Sequence, residues 1–106
     1  MITAIVNFPV SDDATLESIT RAFRSTAPGY EGLPGLIRKY YLFDKESGVA
    51  GGVYLWEDRA QAEAFYDQAW RERLTEKYGA APEISFFESP VIVDNASETE
   101  TVEAAE

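Results

Sequence analysis

The stretch Gly35–Asp58, GLIRKYYLFDKESGVAGGVYLWED, constrains the fold more than any other part of the chain. It reads as two strands joined by the turn signal DKESG. Strand side chains point alternately to opposite faces. Closing the hairpin with Asp44 opposite Val49 sets Tyr41 against Gly52, Lys39 against Tyr54 and Ile37 against Trp56. One face then carries Ile37, Lys39, Tyr41, Phe43, Tyr54 and Trp56; the other carries Leu36, Arg38, Tyr40, Leu42, Val53 and Leu55. An antiparallel sheet with water on one side alternates apolar with polar, and this hairpin is largely apolar or aromatic on both. Helices can cover one face, and the chain has none to spare for the second. The cover that remains is another copy of the same sheet. The hairpin therefore predicts a homodimer, two-fold pairing being the default symmetry, with its two sheets packed into a barrel. Burying such a face stabilises by roughly 25 cal/mol per Å².

The rest of the chain supplies the partners of that hairpin. Residues 2–8, ITAIVNF, read as a strand with Ile2, Ala4, Val6 and Phe8 on one face and Thr3, Ile5 and Asn7 on the other. Ser11, Asp12 and Asp13 offer caps for a helix running to about Ala27, with Leu16, Ile19, Phe23 and Ala27 as its buried stripe. Pro28-Gly29 stops it. Asp58, with Gln61 three residues on, starts a second helix along which Ala62, Phe65, Tyr66, Ala69 and Trp70 form a stripe. A shorter helical stretch follows to about Tyr78 and ends at Gly79. The last strand is expected over Glu83–Val93, with Pro90 marking an edge or a break. The order βαββαβ is that of a ferredoxin-like α+β fold with a four-stranded antiparallel sheet. Residues 1–93 make one domain. Residues 94–106, with five acids and no base, read as an acidic, disordered tail.

Composition excludes several functions. The net charge of −10 repels a phosphate backbone, so nucleic acid is not an expected partner. The chain has no cysteine and no histidine. That removes the thiol nucleophile, the commonest metal ligand and the usual haem ligand, and no metal or cofactor is expected. No apolar run reaches the roughly 18 residues of a membrane span, and no basic-then-apolar leader opens the chain. The expectation is a soluble, cytoplasmic protein with no membrane partner.

A few residues stand out as chemistry. Lys39 lies in an apolar strand. It either faces a cavity, where burial lowers its pKa and frees it to act as base or donor, or guards a strand edge against aggregation. Arg38 points the other way. Asn7 is a polar side chain in an apolar strand, suited to polarising a substrate carbonyl or to bonding the next turn near Pro9. Tyr41, Tyr54 and Trp56 share the Lys39 face, where they stack an aromatic ligand or simply pack. Phe65, Tyr66 and Trp70 read as helix core. Gly51-Gly52, read as lying opposite Tyr41 and Tyr40, leaves room for a bulge, a ligand or a large ring.

Three stretches together carry a family likeness: TAIVNFPV, PGLIRKYYLFDKESGVAGGVYLWED and RAQAEAFYDQAW. Over about residues 1–93 the chain resembles the YdhR-type monooxygenase family, in the dimeric α/β-barrel superfamily that includes the antibiotic-biosynthesis monooxygenases. The resemblance implies a ferredoxin-like protomer, a barrel-forming homodimer and a pocket at the sheet. The superfamily includes enzymes that oxidise aromatic, quinone-forming substrates with O₂ and no bound cofactor; other members degrade haem. Lys39 matches the group's lysine on the second strand, Gly51 and Gly52 its glycine pair, and Asn7 a polar pocket position on the first strand. Phe65 lies near where haem-degrading relatives use a tryptophan, and that change, with the missing histidine, argues against haem. What the resemblance implies is a cofactor-independent monooxygenase of a small aromatic or polycyclic substrate. In it Lys39 and Asn7 are catalytic, and Tyr41, Tyr54, Trp56, Gly52 and Phe65 hold the substrate. The alternative is a non-catalytic dimer of the same fold that binds a small molecule.

Overall fold

A computed structural model describes residues 1–96. The tail expectation for residues 97–106 lies outside the described residues. Strand β1 spans Ile2–Pro9, helix α1 Leu16–Thr26, strand β2 Leu36–Asp44 and strand β3 Val49–Trp56. Helices α2 (Arg59–Phe65) and α3 (Gln68–Tyr78) follow, then strand β4, Glu83–Glu88. The four strands form one antiparallel sheet in the order β2-β3-β1-β4, the ferredoxin-like arrangement. Both crossovers place their helices on one face.

The hairpin closes as its pattern requires. Asp44 pairs with Val49, Tyr41 with Gly52 and Lys39 with Tyr54. One pair differs: Leu36, not Ile37, stands opposite Trp56, and the register shifts between Leu36 and Arg38. The extra residue turns Ile37 out to 38% exposure. A bulge inserted at a sheet edge does this, and β2 is an edge strand.

The helix-facing side of the sheet is the core. Ile2, Ala4, Val6 and Phe8 of β1 and Ala50, Tyr54 and Trp56 of β3 are buried there with Ala62, Tyr66 and Trp70 of the helices. The other side remains open within one chain: Tyr40 is 56% exposed, Leu42 37% and Phe87 52%. Residues after β4 turn back over part of it. Ser89 N–H donates to the Met1 carbonyl, Thr3 and Ser89 hydroxyls bond each other, and Arg38 pairs with Asp94 at 3.4 Å.

Three element boundaries differ from those expected. The cap of α1 is Thr15, not Ser11, Asp12 or Asp13: its hydroxyl accepts from Ser18 N–H while the Ser18 hydroxyl accepts from Thr15 N–H. This reciprocal pair satisfies two orphan donors at once, which no aspartate upstream does. Leu16, the first residue after the cap, is therefore outside the buried stripe at 69% exposure. The second helical stripe is broken in two. Tyr66 leaves helical geometry (φ −85°, ψ 55°), and Asp67 starts α3 by accepting from Trp70 N–H at 2.9 Å. Tyr66 and Trp70 stay buried, while Ala69 turns outward. Last, β4 ends at Glu88 rather than Val93, since Pro90 has no N–H for a ladder.

Candidate functional site

Lys39 points inward, beneath the α1 end of the sheet. Its Nζ lies 3.5 Å from the centre of the Tyr30 ring, 3.7 Å from Tyr41 and 4.6 Å from Tyr54. No carboxylate pairs with it among the described residues. Burial in this apolar box pushes the amine down to about 7. The three ring faces act in the other direction, because their negative faces favour the ammonium. Burial thus makes this amine easier to deprotonate than an exposed lysine, the direction needed for accepting and returning a proton.

The glycine pair explains how a lysine fits there. A Cβ on Gly52 would stand 3.3 Å from Lys39 Cε, 3.1 Å from Tyr54 Cε1 and 3.0 Å from the Tyr40 carbonyl. Gly52 thus makes space for the lysine stem. Gly51 has a different task. A Cβ there would lie 1.8 Å from the Val6 carbonyl oxygen, so its bareness lets β1 and β3 approach.

The tyrosines form a hydroxyl and ring network. Tyr41 bonds Thr26 at 2.8 Å and stacks on Phe23 at 4.5 Å. Tyr30 accepts from Trp70 Nε1 at 3.3 Å, and Tyr66 from Trp56 Nε1 at 3.0 Å. Burial raises the phenols of Tyr54, Tyr66 and Tyr41 above their ordinary range. They are neutral hydrogen-bond donors at physiological pH, not bases.

Three hollows adjoin this cluster. A chamber of about 50 Å³ lies among Lys39, Tyr30, Tyr41, Tyr54 and Trp70. A mouth of about 300 Å³ opens beside Tyr30, Leu36, Lys39 and Tyr41. A groove of about 400 Å³ runs between α1 and β2, along Ile19, Phe23, Tyr41 and Phe43.

The structure brings Lys39, Tyr41, Tyr54 and Gly52 together. Asn7 is not with them. It sits on the exposed face of β1, paired across to Gly51 and Glu83, because alternation that buries Val6 and Phe8 must turn Asn7 away. Trp56 and Phe65 stand behind the chamber without lining it: Trp56 is 1% exposed and Phe65 packs on it at 5.4 Å. Tyr30 closes the cage and was not singled out by sequence reasoning, since it lies in an irregular segment, a short 3₁₀ turn over Ala27–Tyr30. Among the described residues no group of acidic side chains is placed to hold a metal ion, and no helix is long and apolar enough to cross a membrane.

Comparisons with known proteins bear on this arrangement. A family model described as "Putative mono-oxygenase ydhR" matches residues 4–92. No curated protein matches the sequence. Among solved structures, a protein of unknown function from Nitrosomonas europaea superposes with a TM-score of 0.68 at 15% identity, over 90% of this chain and 94% of that one. The ActVA-Orf6 monooxygenase of Streptomyces coelicolor, in complex with nanaomycin D, gives 0.64 at 17% identity over 89% and 92%. A variant of SnoaB, a cofactor-independent oxygenase from Streptomyces nogalater, gives 0.61 at 17% over 87% and 95%. These likenesses establish a shared fold; chemistry has to come from the residues of this chain.

Proposed function

The chain belongs to the ydhR family, and from that premise we propose that it is a monooxygenase that uses O₂ without a bound cofactor on a small aromatic or polycyclic substrate. One observation carries the reading: a lysine amine tuned to about 7, caged by three tyrosine rings, at the border of a chamber and an open mouth. Proteins of the same fold include a monooxygenase in complex with nanaomycin D and a cofactor-independent oxygenase.

Oxygenation without a cofactor needs a substrate that can itself give an electron to O₂. A phenol or enol becomes such a donor once deprotonated. Neutral Lys39 takes that proton, and its ammonium then stands beside the oxyanion and stabilises it. The anion passes one electron to O₂, the radical pair combines at carbon to a peroxide anion, and the Lys39 ammonium returns its proton to give the hydroperoxide. Loss of the remaining C–H proton and departure of hydroxide leave a carbonyl and one water. The tyrosine rings hold the substrate plane, and their neutral hydroxyls donate to its oxygens. Asn7 faces away from this centre and has no part in it.

The active unit is a homodimer in which the open sheet faces pack together. Tyr40, Leu42 and Phe87 supply the apolar surface that one chain leaves uncovered. Residues 1–93 form the folded unit.

The test is oxygen uptake by metal-stripped protein over a panel of anthrones, hydroquinones and polyhydroxylated aromatics, with Lys39→Met alongside. Uptake that depends on the protein and falls at least about a hundredfold in the variant supports the reading. Uptake retained by Lys39→Met removes the lysine from the mechanism. Ligand binding with no uptake across the panel points instead to a non-catalytic binding dimer.

A further inference from the structure

Tyr41 borders the groove, the mouth and the chamber alike. The chamber holds about 50 Å³, too little even for benzene, which needs a cavity of about 150 Å³. A fused-ring substrate therefore cannot reach the inner side of Lys39 while Tyr41 stands where it does. The apolar groove has the volume of a ligand site, in the range of roughly 300–1,000 Å³, yet Tyr41 and Phe23 wall it off from the lysine.

The way Tyr41 is held suits a moving part. Thr26 Oγ1 donates its proton to the Phe23 carbonyl at 3.0 Å, so the bond at 2.8 Å between the two hydroxyls is donated by Tyr41. That bond, the Phe23 stack and the Lys39 amine 3.7 Å from the ring centre hold the ring, and only the first is a hydrogen bond. Its strand β2 is a sheet edge, and its cross-strand partner is Gly52, which has no side chain to pin the ring. The other ring contact, to Tyr30, is edge-on at 6.3 Å.

We propose that Tyr41 is a swinging partition that sets which substrates reach Lys39. Turning away from Thr26, it joins the groove to the mouth. A phenol or enol of two or three fused rings then lies with its apolar rings along Phe23 and Phe43 and its acidic oxygen at Lys39. This assignment rests on the monooxygenase reading for the role of Lys39, while the gate itself is a statement about binding.

Stopped-flow binding under anaerobic conditions tests it, with phenol, 2-naphthol and 1-hydroxyanthraquinone as the size series. Tyr41→Phe and Thr26→Val each remove the latch and should raise the association rate of the three-ring ligand about fivefold, the worth of one neutral hydrogen bond. Phenol fits the mouth as it stands and should gain less than about twofold. The double variant should match either single one, because both cut the same bond. Equal gains for all three ligands, additive effects in the double variant, or no binding of any fused-ring ligand overturns the proposal. Oxygen uptake by the same proteins in air separates the two readings. Latch-dependent binding without uptake sinks the monooxygenase and leaves the gate. Uptake that ignores the latch does the reverse.

Discussion

At the scale of single residues, adjacent glycines do unlike work. Gly51 keeps β1 and β3 in contact, since a methyl there collides with a backbone oxygen that cannot move without its strand. Gly51→Ala should cost about 3 kcal/mol or more and lower the urea midpoint sharply. Gly52→Ala crowds the Tyr40 carbonyl at 3.0 Å and two side-chain atoms at 3.1 and 3.3 Å, all tighter than ordinary contact but far short of the Gly51 collision; it should cost about 1–2 kcal/mol and displace Lys39. Comparable losses in both variants would contradict this division. Lys39 itself carries a pH signature. Its amine titrates at about 7 in the folded chain against an ordinary 10.5. Between those values the unfolded chain binds the extra proton, so stability rises with pH across that window. Below it, folding must hold a desolvated ammonium. Each unit of depression that the tyrosine rings leave in place is worth about 1.4 kcal/mol. Lys39→Met should therefore be more stable than the parent at pH 6, with the gap narrowing towards pH 10, as read by urea unfolding. Parallel profiles for the two proteins would remove the buried, depressed amine.

At the scale of elements, caps decide where the helices lie. Thr15→Ala should cost α1 about 1 kcal/mol, and Asp67→Ala should cost α3 a similar amount, because each side chain accepts from the first turn. Asp12→Ala and Asp13→Ala should stay within about 0.5 kcal/mol, measured on the same unfolding curves. A large loss at Asp13 and none at Thr15 would return the helix start to the aspartates. This contrast marks what the sequence could reveal. The hairpin register was legible because a period of two leaves one closure that aligns Lys39 with Tyr54, and the turn DKESG fixes it. The start of α1 was not, because Ser11, Asp12, Asp13 and Thr15 all have capping side chains, and only the match of Thr15 with Ser18 in space selects one. The break at Tyr66–Asp67 was hidden by a buried stripe that continues across it. The cage was half legible. Alternation placed Lys39, Tyr41 and Tyr54 on one face, but Tyr30 reaches them from a loop, where no periodicity reports direction.

At the scale of the molecule, the sheet is used twice. Its helix side encloses the lysine and its tyrosines; its open side presents Tyr40, Leu42 and Phe87 to water. The chain's own return segment does not fill the gap. Ile92 reaches a hollow of about 170 Å³ beside Arg38, Tyr40 and Leu55, yet remains 47% exposed, and Val91 and Val93 are each 79% exposed. Apolar residues at both the sheet and the segment that crosses it thus stay wet in one chain, and the proposed dimer would bury both. The consequence reaches the site, because β2 carries the open-face residues and the caged lysine at alternate positions: Arg38, Tyr40 and Leu42 outward, Lys39 and Tyr41 inward. An edge strand braced on only one side lets Tyr41 and Lys39 drift together. The parent should sediment at twice the chain mass. Tyr40→Asp with Leu42→Asp places charge in the centre of the contact, where unpaired burial is costly, and should give a folded monomer by sedimentation and circular dichroism. Its oxygen uptake should fall about tenfold or more, since misplacement of about 1 Å in a site costs far more than this. A parent that sediments as a monomer at micromolar concentration would overturn the dimer. A monomeric double variant with full uptake would show instead that one chain is a complete site and that the open face serves another purpose.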